Sequence, residues 1–533
     1  MDRRDALRLL SVPAFAPALG VFDFGPARAS AVAQTPSRPP DVELTLVAAA
    51  AEVALLPGDP TRVWRYTATV VRGPASTVQT LPGSYLGPVL RFRRGQQVRV
   101  RFENRLTEPS IVHWHGLDVP ESADGHPRLA IAGGREYVYD FEVINRAGTY
   151  WYHPHPHMRT GAQAYHGLSG VIIVSDPEDD GLELPAGDAE LVLVLQDRRF
   201  DANNQLVYAA GADTGRGGGM GRMGRGGGRG MGGGMGQMME TMNGWLGDRL
   251  FVSGTHQPRR TIERRPYRVR LLNGSNARIY NLAWSDGRPF TVLGGDGGLL
   301  EHVRTQPRLT LAPGQRADVL LDCSTQRAGS TFSLRSLAYP AAAVGHVGMM
   351  GETSPLPQGA ATELMTFAVA GGAGHPMTLP ERLSARPDAW LAPSDAPVRT
   401  VPLTFMRMEW LIDGRTYDID EVAANETVAP GSTHVWEFRN QLNPMGMAMA
   451  HPIHVHGRQF RVLSRSGAGG NALTAGINDA GPTDTVLVLP GETVRVQLTF
   501  SRYPGLFLYH CHILEHEDMG MMRNFRITAP ARG

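Results

Sequence analysis

Cysteine is almost missing from this chain. Its 533 residues include two, Cys323 and Cys511. That excludes a disulfide-stapled scaffold, and the neighbours of Cys511 give its thiol another use, so no disulfide is expected. Cys323 reads as a small buried hydrophobe. A dominant charge is missing too. Fifty-two basic side chains face 51 acidic ones, for a net +1, which gives no ground for a nucleic acid or an anionic surface as partner. Long apolar runs are also lacking: no stretch reaches the ~18 apolar residues of a membrane span. The amino terminus has a shorter one. Arg3-Arg4 precede the apolar run Ala6 to Val21, and the small-residue cleavage candidates Ala27-Arg28-Ala29 and Ala31-Val32-Ala33 follow. That order reads as an export signal of the twin-arginine type over residues 1–33. The expected location is periplasmic or otherwise exported.

What the chain does have is turns and alternation. Gly 63 and Pro 39 punctuate short Val, Leu, Thr and Phe-rich runs, a pattern of many strands. Three segments alternate polar and apolar and end in Asn: 95–104, 266–273 and 431–440. Each is followed by a second alternating strand entered through Gly, at 134–141, 313–320 and 490–496. One unit repeated three times predicts an all-β chain of three β-sandwich domains. The boundaries fall at 41–180, 181–390 and 391–533.

The chemistry concentrates in four histidine clusters. They are His113-Trp114-His115, His153-Pro154-His155, His451-Pro452-Ile453-His454-Val455-His456 and His510-Cys511-His512, the last followed by His516 and Met521. Successive side chains of a strand point to opposite faces. Each H-x-H therefore puts two imidazoles on one side, and eight imidazoles in four pairs can surround a group of metal ions. Cys511 faces away from His510 and His512, and His451, three residues before His454, faces away from it. Parity thus yields a second group, His451, Cys511, His516 and Met521. Two imidazoles, a thiolate and a weak thioether are the donor set of a mononuclear blue-copper site. One H-x-H is a weak signal; four, one enclosing the cysteine, are specific.

The motifs HWHG, HPH, HPIHVHG and HCHILEHEDMGMM resemble those of three-domain multicopper oxidases, over residues 41 to 528. The resemblance implies three cupredoxin-like Greek-key sandwiches and four copper ions. By motif position His451, Cys511, His516 and Met521 carry over to a type 1 copper. His113 and His454 carry over to a type 2 copper, and His115, His153, His155, His456, His510 and His512 to a type 3 pair. It also implies a reaction: a reductant gives single electrons to the type 1 site, they pass from Cys511 to His510 and His512, and four reduce O₂ to water. Asp124 and Glu517 carry over as proton-relaying acids. The expected partners are O₂ and either Cu(I) or a small aromatic reductant, for a monomeric enzyme.

The reductant depends on a biased segment. Between Ala210 and Trp245 the composition collapses to Gly, Met and Arg, with seven of the 21 methionines. This reads as a flexible insert over 213–242. Thioethers prefer Cu(I), so the insert is a candidate collector of cuprous ions or an incidental spacer. Met445, Met447 and Met449 form a second group before His451, with no Asp or Glu between Gln441 and Ala450. Three functions follow: a cuprous oxidase that also takes phenols, a laccase-like phenol oxidase, or a copper-sequestering protein.

Overall fold

A computed structural model describes residues 38–208, 239–345, 354–385, 395–444 and 446–529. The export signal, most of the Gly/Met-rich insert and Met445 lie outside them. The described chain is all-β, as expected, with a few helices of six residues or fewer. No helix among the described residues is long and apolar enough to cross a membrane.

Six sheets form three pairs in chain order. Strands between Val42 and Ser175 make one sheet of four strands and one of five. Those between Glu190 and Val369 make sheets of seven and five, and those between Val398 and Ile527 two sheets of five. The segments singled out as repeats pair with each other in all three: Gln97–Asn104 with Arg135–Glu142, Pro266–Asn273 with Arg316–Asp322, and Thr433–Asn440 with Thr493–Thr499, each antiparallel. In each unit an earlier strand adds on in parallel: Val42–Val53, Glu190–Arg198 and Val398–Met406. Period-two alternation therefore fixed the same pairing three times.

The middle unit departs from simple alternation. Pro266–Asn273 is buried on both faces, so its polar-looking Arg268 and Arg270 are interior. Each is held by carboxylates: Arg268 by Asp318 and Asp179, Arg270 by Glu190 and Asp318. A buried guanidinium persists only when paired in this way. The outer face is covered because neighbouring units pack on the middle one. Leu55, Val63, Tyr85, Trp151, Ile173, Val194, Phe251 and Leu272 form an apolar cluster between the first and second sheet pairs. A second cluster, with Ile279, Tyr339, Val344, Ala450, Leu473 and Leu487, joins the second and third. Cys323 is buried in the middle core, and both cysteines are free thiols.

Phe251 is fully buried at the first of these seams, its ring 6.0 Å from Tyr85. Phe251→Ala should cost about 3–5 kcal/mol. The expected result is a lower midpoint of the first unfolding transition in urea, and an unchanged midpoint would argue against the seam as a stabilising contact.

Candidate metal centre

The strand Gly505–Cys511 is central to its sheet and buried throughout but for its first glycine. It pairs with His451–Val455 so that Ile453 lies opposite Cys511 and His454 opposite His510. The register puts His454 and His510 on one face and Cys511 on the other with His451. The two groups expected from parity are both assembled. On one side Cys511 Sγ lies 3.5 Å from His451 Nδ1 and 3.5 Å from His516 Nδ1. Met521 is buried beside them and bound through its backbone, accepting from the Cys511 N–H and donating to the His516 carbonyl. On the other side all eight paired histidines are buried. His113 and His153 face each other across the strands Val112–His115 and Gly148–Pro154 of the first unit.

The imidazoles converge in sets. His155, His456 and His510 gather their ring nitrogens, with Nε2 of His510 3.1 Å from that of His456 and 3.4 Å from that of His155. His113 Nε2 and His454 Nε2 are 3.3 Å apart. The His512 ring sits 5.0 Å from His115 and 5.3 Å from His153. Gly314, with φ +84°, packs against His512; a Cβ there would lie 3.0 Å from the ring.

Outer partners decide which nitrogen each ring presents. The Nδ1–H of His113 donates to the Asp124 carbonyl (2.6 Å), that of His454 to the Asp484 carbonyl (2.8 Å), and that of His456 to Asp124 Oδ2 (2.8 Å). His153 and His510 donate to the carbonyls of Pro154 and Cys511. These five rings present a bare Nε2 inward. His115 is reversed: its Nε2–H donates to Asp484 Oδ1 (2.9 Å), which leaves Nδ1 without a partner. His516 Nε2–H donates to the Met242 carbonyl (2.9 Å), which turns Nδ1 toward the cysteine. Bare nitrogen lone pairs 3.1–3.3 Å apart repel each other unless a cation lies among them. His153 Nε2, His155 Nδ1 and both nitrogens of His512 have no hydrogen-bond partner at all. Imidazole and thiolate donors with their lone pairs turned inward suit copper.

Electrostatics agree. Burial and neighbouring imidazoles hold all ten histidines below their ordinary range; burial pushes His153 and His516 down to about 3 and His510 to about 4. They are neutral, the form that ligates. Burial pushes the Cys511 thiol up, so its proton leaves only in exchange for a cation.

Comparison with known proteins decides the family. Residues 63–179 and 392–531 each match the multicopper oxidase family. A laccase of Haloferax volcanii is 30% identical, covering 86% of this chain and 79% of that protein. A multicopper oxidase of Staphylococcus haemolyticus is 29% identical over 84% and 83%. The crystal structure of the McoA multicopper oxidase of Aquifex aeolicus superposes with a TM-score of 0.74 at 32% identity, over 92% of this chain and 97% of that one. The chain is a multicopper oxidase.

Its sheet pairs are the three cupredoxin-like domains of such enzymes, and its histidine clusters suit their copper. Two carboxyls expected near the cluster are there. Asp124 is fully buried, with Oδ2 on His456 and Oδ1 3.6 Å from His113 Nδ1. Its helical turn ends at Gly125, φ +85°, where a Cβ would strike the Val112 carbonyl at 2.2 Å. Glu517 places Oε2 3.2 Å from His510 Nδ1 and Oε1 3.5 Å from His155 Nε2. Burial, with Asp118 beside Asp124 and Asp518 beside Glu517, raises both acids well above the usual range.

The oxidase also uses residues that the sequence reading missed. Asp484, from the third domain, holds His115 of the first and is gripped by Arg316 of the second at 2.5 and 2.7 Å. Arg316 is buried and its backbone N–H donates to Asp296. Thr485 Oγ1 lies 3.2 Å from His454 Nδ1 and 3.3 Å from His115 Nε2. Nothing in the sequence singled them out: Arg316 opens a strand that also carries Asp318 and Asp322. Histidines given no ligand role are elsewhere: His126 bonds Asn524, and the His157 ring packs on Tyr417. His166 Nδ1–H donates to the Ala162 carbonyl.

The copper-free protein should lose stability in acid. Its histidines have folded pKa values below the unfolded 6.5, so their contribution is complete above pH 6.5 and falls as pH drops toward 3–4. The slope is up to about 1.4 kcal/mol per pH unit for each histidine. Raised carboxyls such as Asp124 and Glu517 have the opposite sign and offset part of it, but ten histidines outnumber them. The urea midpoint of copper-stripped protein should fall from pH 7 to 5; a flat or rising midpoint would contradict this balance.

Proposed function

We propose that this multicopper oxidase couples one-electron oxidation of Cu(I) to four-electron reduction of O₂, with phenolic donors as secondary substrates. In this reading it is an exported enzyme of copper tolerance. His451, Cys511, His516 and Met521 would hold the type 1 copper, His113 and His454 the type 2, and the other six histidines the type 3 pair. Copper supplies the one-electron redox steps and the site where O₂ is reduced.

The chain's own residues do the rest. Cys511 is bonded through the backbone to His510 and His512, so the two sites keep a fixed separation. Asp124 Oδ1 has no partner while Oδ2 accepts from His456. A carboxyl kept protonated at that spot can release its proton toward the cluster. Glu517 stands likewise beside His510 and His155.

The observation that favours Cu(I) over a phenol is the cover on His516. Its outward Nε2 is capped by the Met242 carbonyl, which also accepts from Trp410 Nε1 at 3.0 Å. Residues 239–243, of which 239–242 were assigned to the Gly/Met-rich insert by composition, are a helical turn. Met242 and Met449 are buried in the third-domain core, and Met239 and Met519 pack on it half-buried. An organic donor therefore meets no free imidazole edge, whereas a soft ion can give up its electron over thioethers. Residues 213–238 of the insert lie outside the described residues.

Steady-state kinetics on Cu(I), Fe(II) and a phenol test this reading. Wild type should show the highest kcat/KM for Cu(I), and a preference for the phenol would establish the laccase reading instead. Deleting 213–238, which spares the Met242 cap, should lower Cu(I) turnover; intact Cu(I) turnover with faster phenol oxidation would make the insert a lid. Cys511→Ser should abolish the blue colour, turnover and copper tolerance of cells; survival of tolerance would favour sequestration. Asp124→Asn should slow O₂ reduction by about 10²-fold with the blue absorption unchanged.

A further inference from the structure

The hairpin of Val398–Met406 and Glu409–Ile412 has two dissimilar faces. Phe405 pairs with Trp410 and Met406 with Glu409. The first pair points inward: the Phe405 and Trp410 rings are 4.6 Å apart and buried, and Trp410 lies 4.8 Å from the His451 ring and 5.0 Å from His516. The second pair points to solvent. Met406 is 54% exposed, Met408 in the turn 44%, and Glu409 is exposed. Glu409 forms no ion pair among the described residues.

Two features of this tip are costly for a structural turn. Large apolar side chains are held in water, where a plain hairpin would carry polar ones. The two turn residues, Arg407 (φ 53°) and Met408 (φ 65°), are both in the left-handed region, which two-residue turns usually fill with Asn-Gly. Strain of this kind, where it persists, tends to mark a functional position. The strain here sets two thioethers and a carboxylate on one tip, with Met406 and Glu409 about 5 Å apart at Cβ as directly opposed residues. Two soft sulfurs and one oxygen select Cu(I) over hard divalent ions.

We propose that Met406, Met408 and Glu409 form the docking site for the Cu(I) substrate, and that Trp410 conducts its electron inward to the His451–Cys511–His516 site. The assignment rests on the cuprous-oxidase reading. Docked Cu(I) loses one electron and leaves as Cu(II); four such events, with four protons, convert one O₂ to two waters. Glu409 is bonded through the backbone to Trp410, and the indole touches both histidines, so the route has no solvent gap. Arg407 is the one cation in the turn, and its charge favours release of the product, Cu(II), over that of Cu(I).

The test uses the full-length, copper-loaded enzyme. Ag(I), a redox-inert mimic of Cu(I), is titrated by calorimetry into wild type and the Met406→Leu/Met408→Leu double variant, which keeps side-chain volume. The variant should bind one equivalent fewer. Its ratio of kcat/KM for Cu(I) to that for a phenol should fall at least tenfold, mostly through KM. Glu409→Gln should give a smaller fall in the same ratio, and Trp410→Phe should lower kcat for Cu(I) without changing Ag(I) stoichiometry. Equal Ag(I) stoichiometry in wild type and double variant would overturn the site. If wild type prefers a phenol to Cu(I), the cuprous reading fails, and the Ag(I) difference still decides whether the tip binds a soft cation.

Discussion

The pairing of His451–Val455 with Gly505–Cys511 is the contact on which the rest depends. One register, Ile453 opposite Cys511 and His454 opposite His510, supplies both metal groups at once. A slip of one residue would turn every donor to the wrong face. Both strands lie inside their sheet and pack into the third-domain core, so the slip would also turn Phe507, Tyr509 and Ile453 out of that core. The same apolar burial that stabilises the sandwich thus fixes the distance between the two donor groups.

The surrounding protein keeps the donors ready for metal. Carbonyls of Asp124, Pro154, Asp484, Cys511 and Met242 each take one imidazole proton, and burial keeps the rings uncharged. None of these acceptors is a side chain that substitution could remove. Only His115 and His456 rely on carboxylates, Asp484 and Asp124. That arrangement makes ring orientation a property of backbone path, and glycines at 125 and 314 allow the path to come close.

Much of this was legible in the sequence, for a physical reason. The parity of a strand is strict, so His451 could be separated from His454 and Cys511 from its flanking histidines by counting. The three repeats were visible because alternation and an entry glycine recur, and each predicted pair of segments does hydrogen-bond. What stayed hidden was contributed across domains. Arg268 and Arg270 alternate like solvent-facing residues, yet they are interior because neighbouring units cover them. Asp484 and Arg316 carry no motif; their role exists only once three domains meet. The Met242 cap was concealed by composition, since Gly-rich sequence masks the point where the insert turns helical and buries a methionine.

The histidine cluster is closed by residues more than 340 positions apart, His113 against His454. No amino-terminal fragment that stops short of His510 holds all eight paired histidines or the cysteine. A ribosome that stalls before the last fifty residues therefore releases a product without His510, Cys511 or His512. Such a product also lacks His516 and Met521, so neither donor group can be completed until the end of the chain has been made.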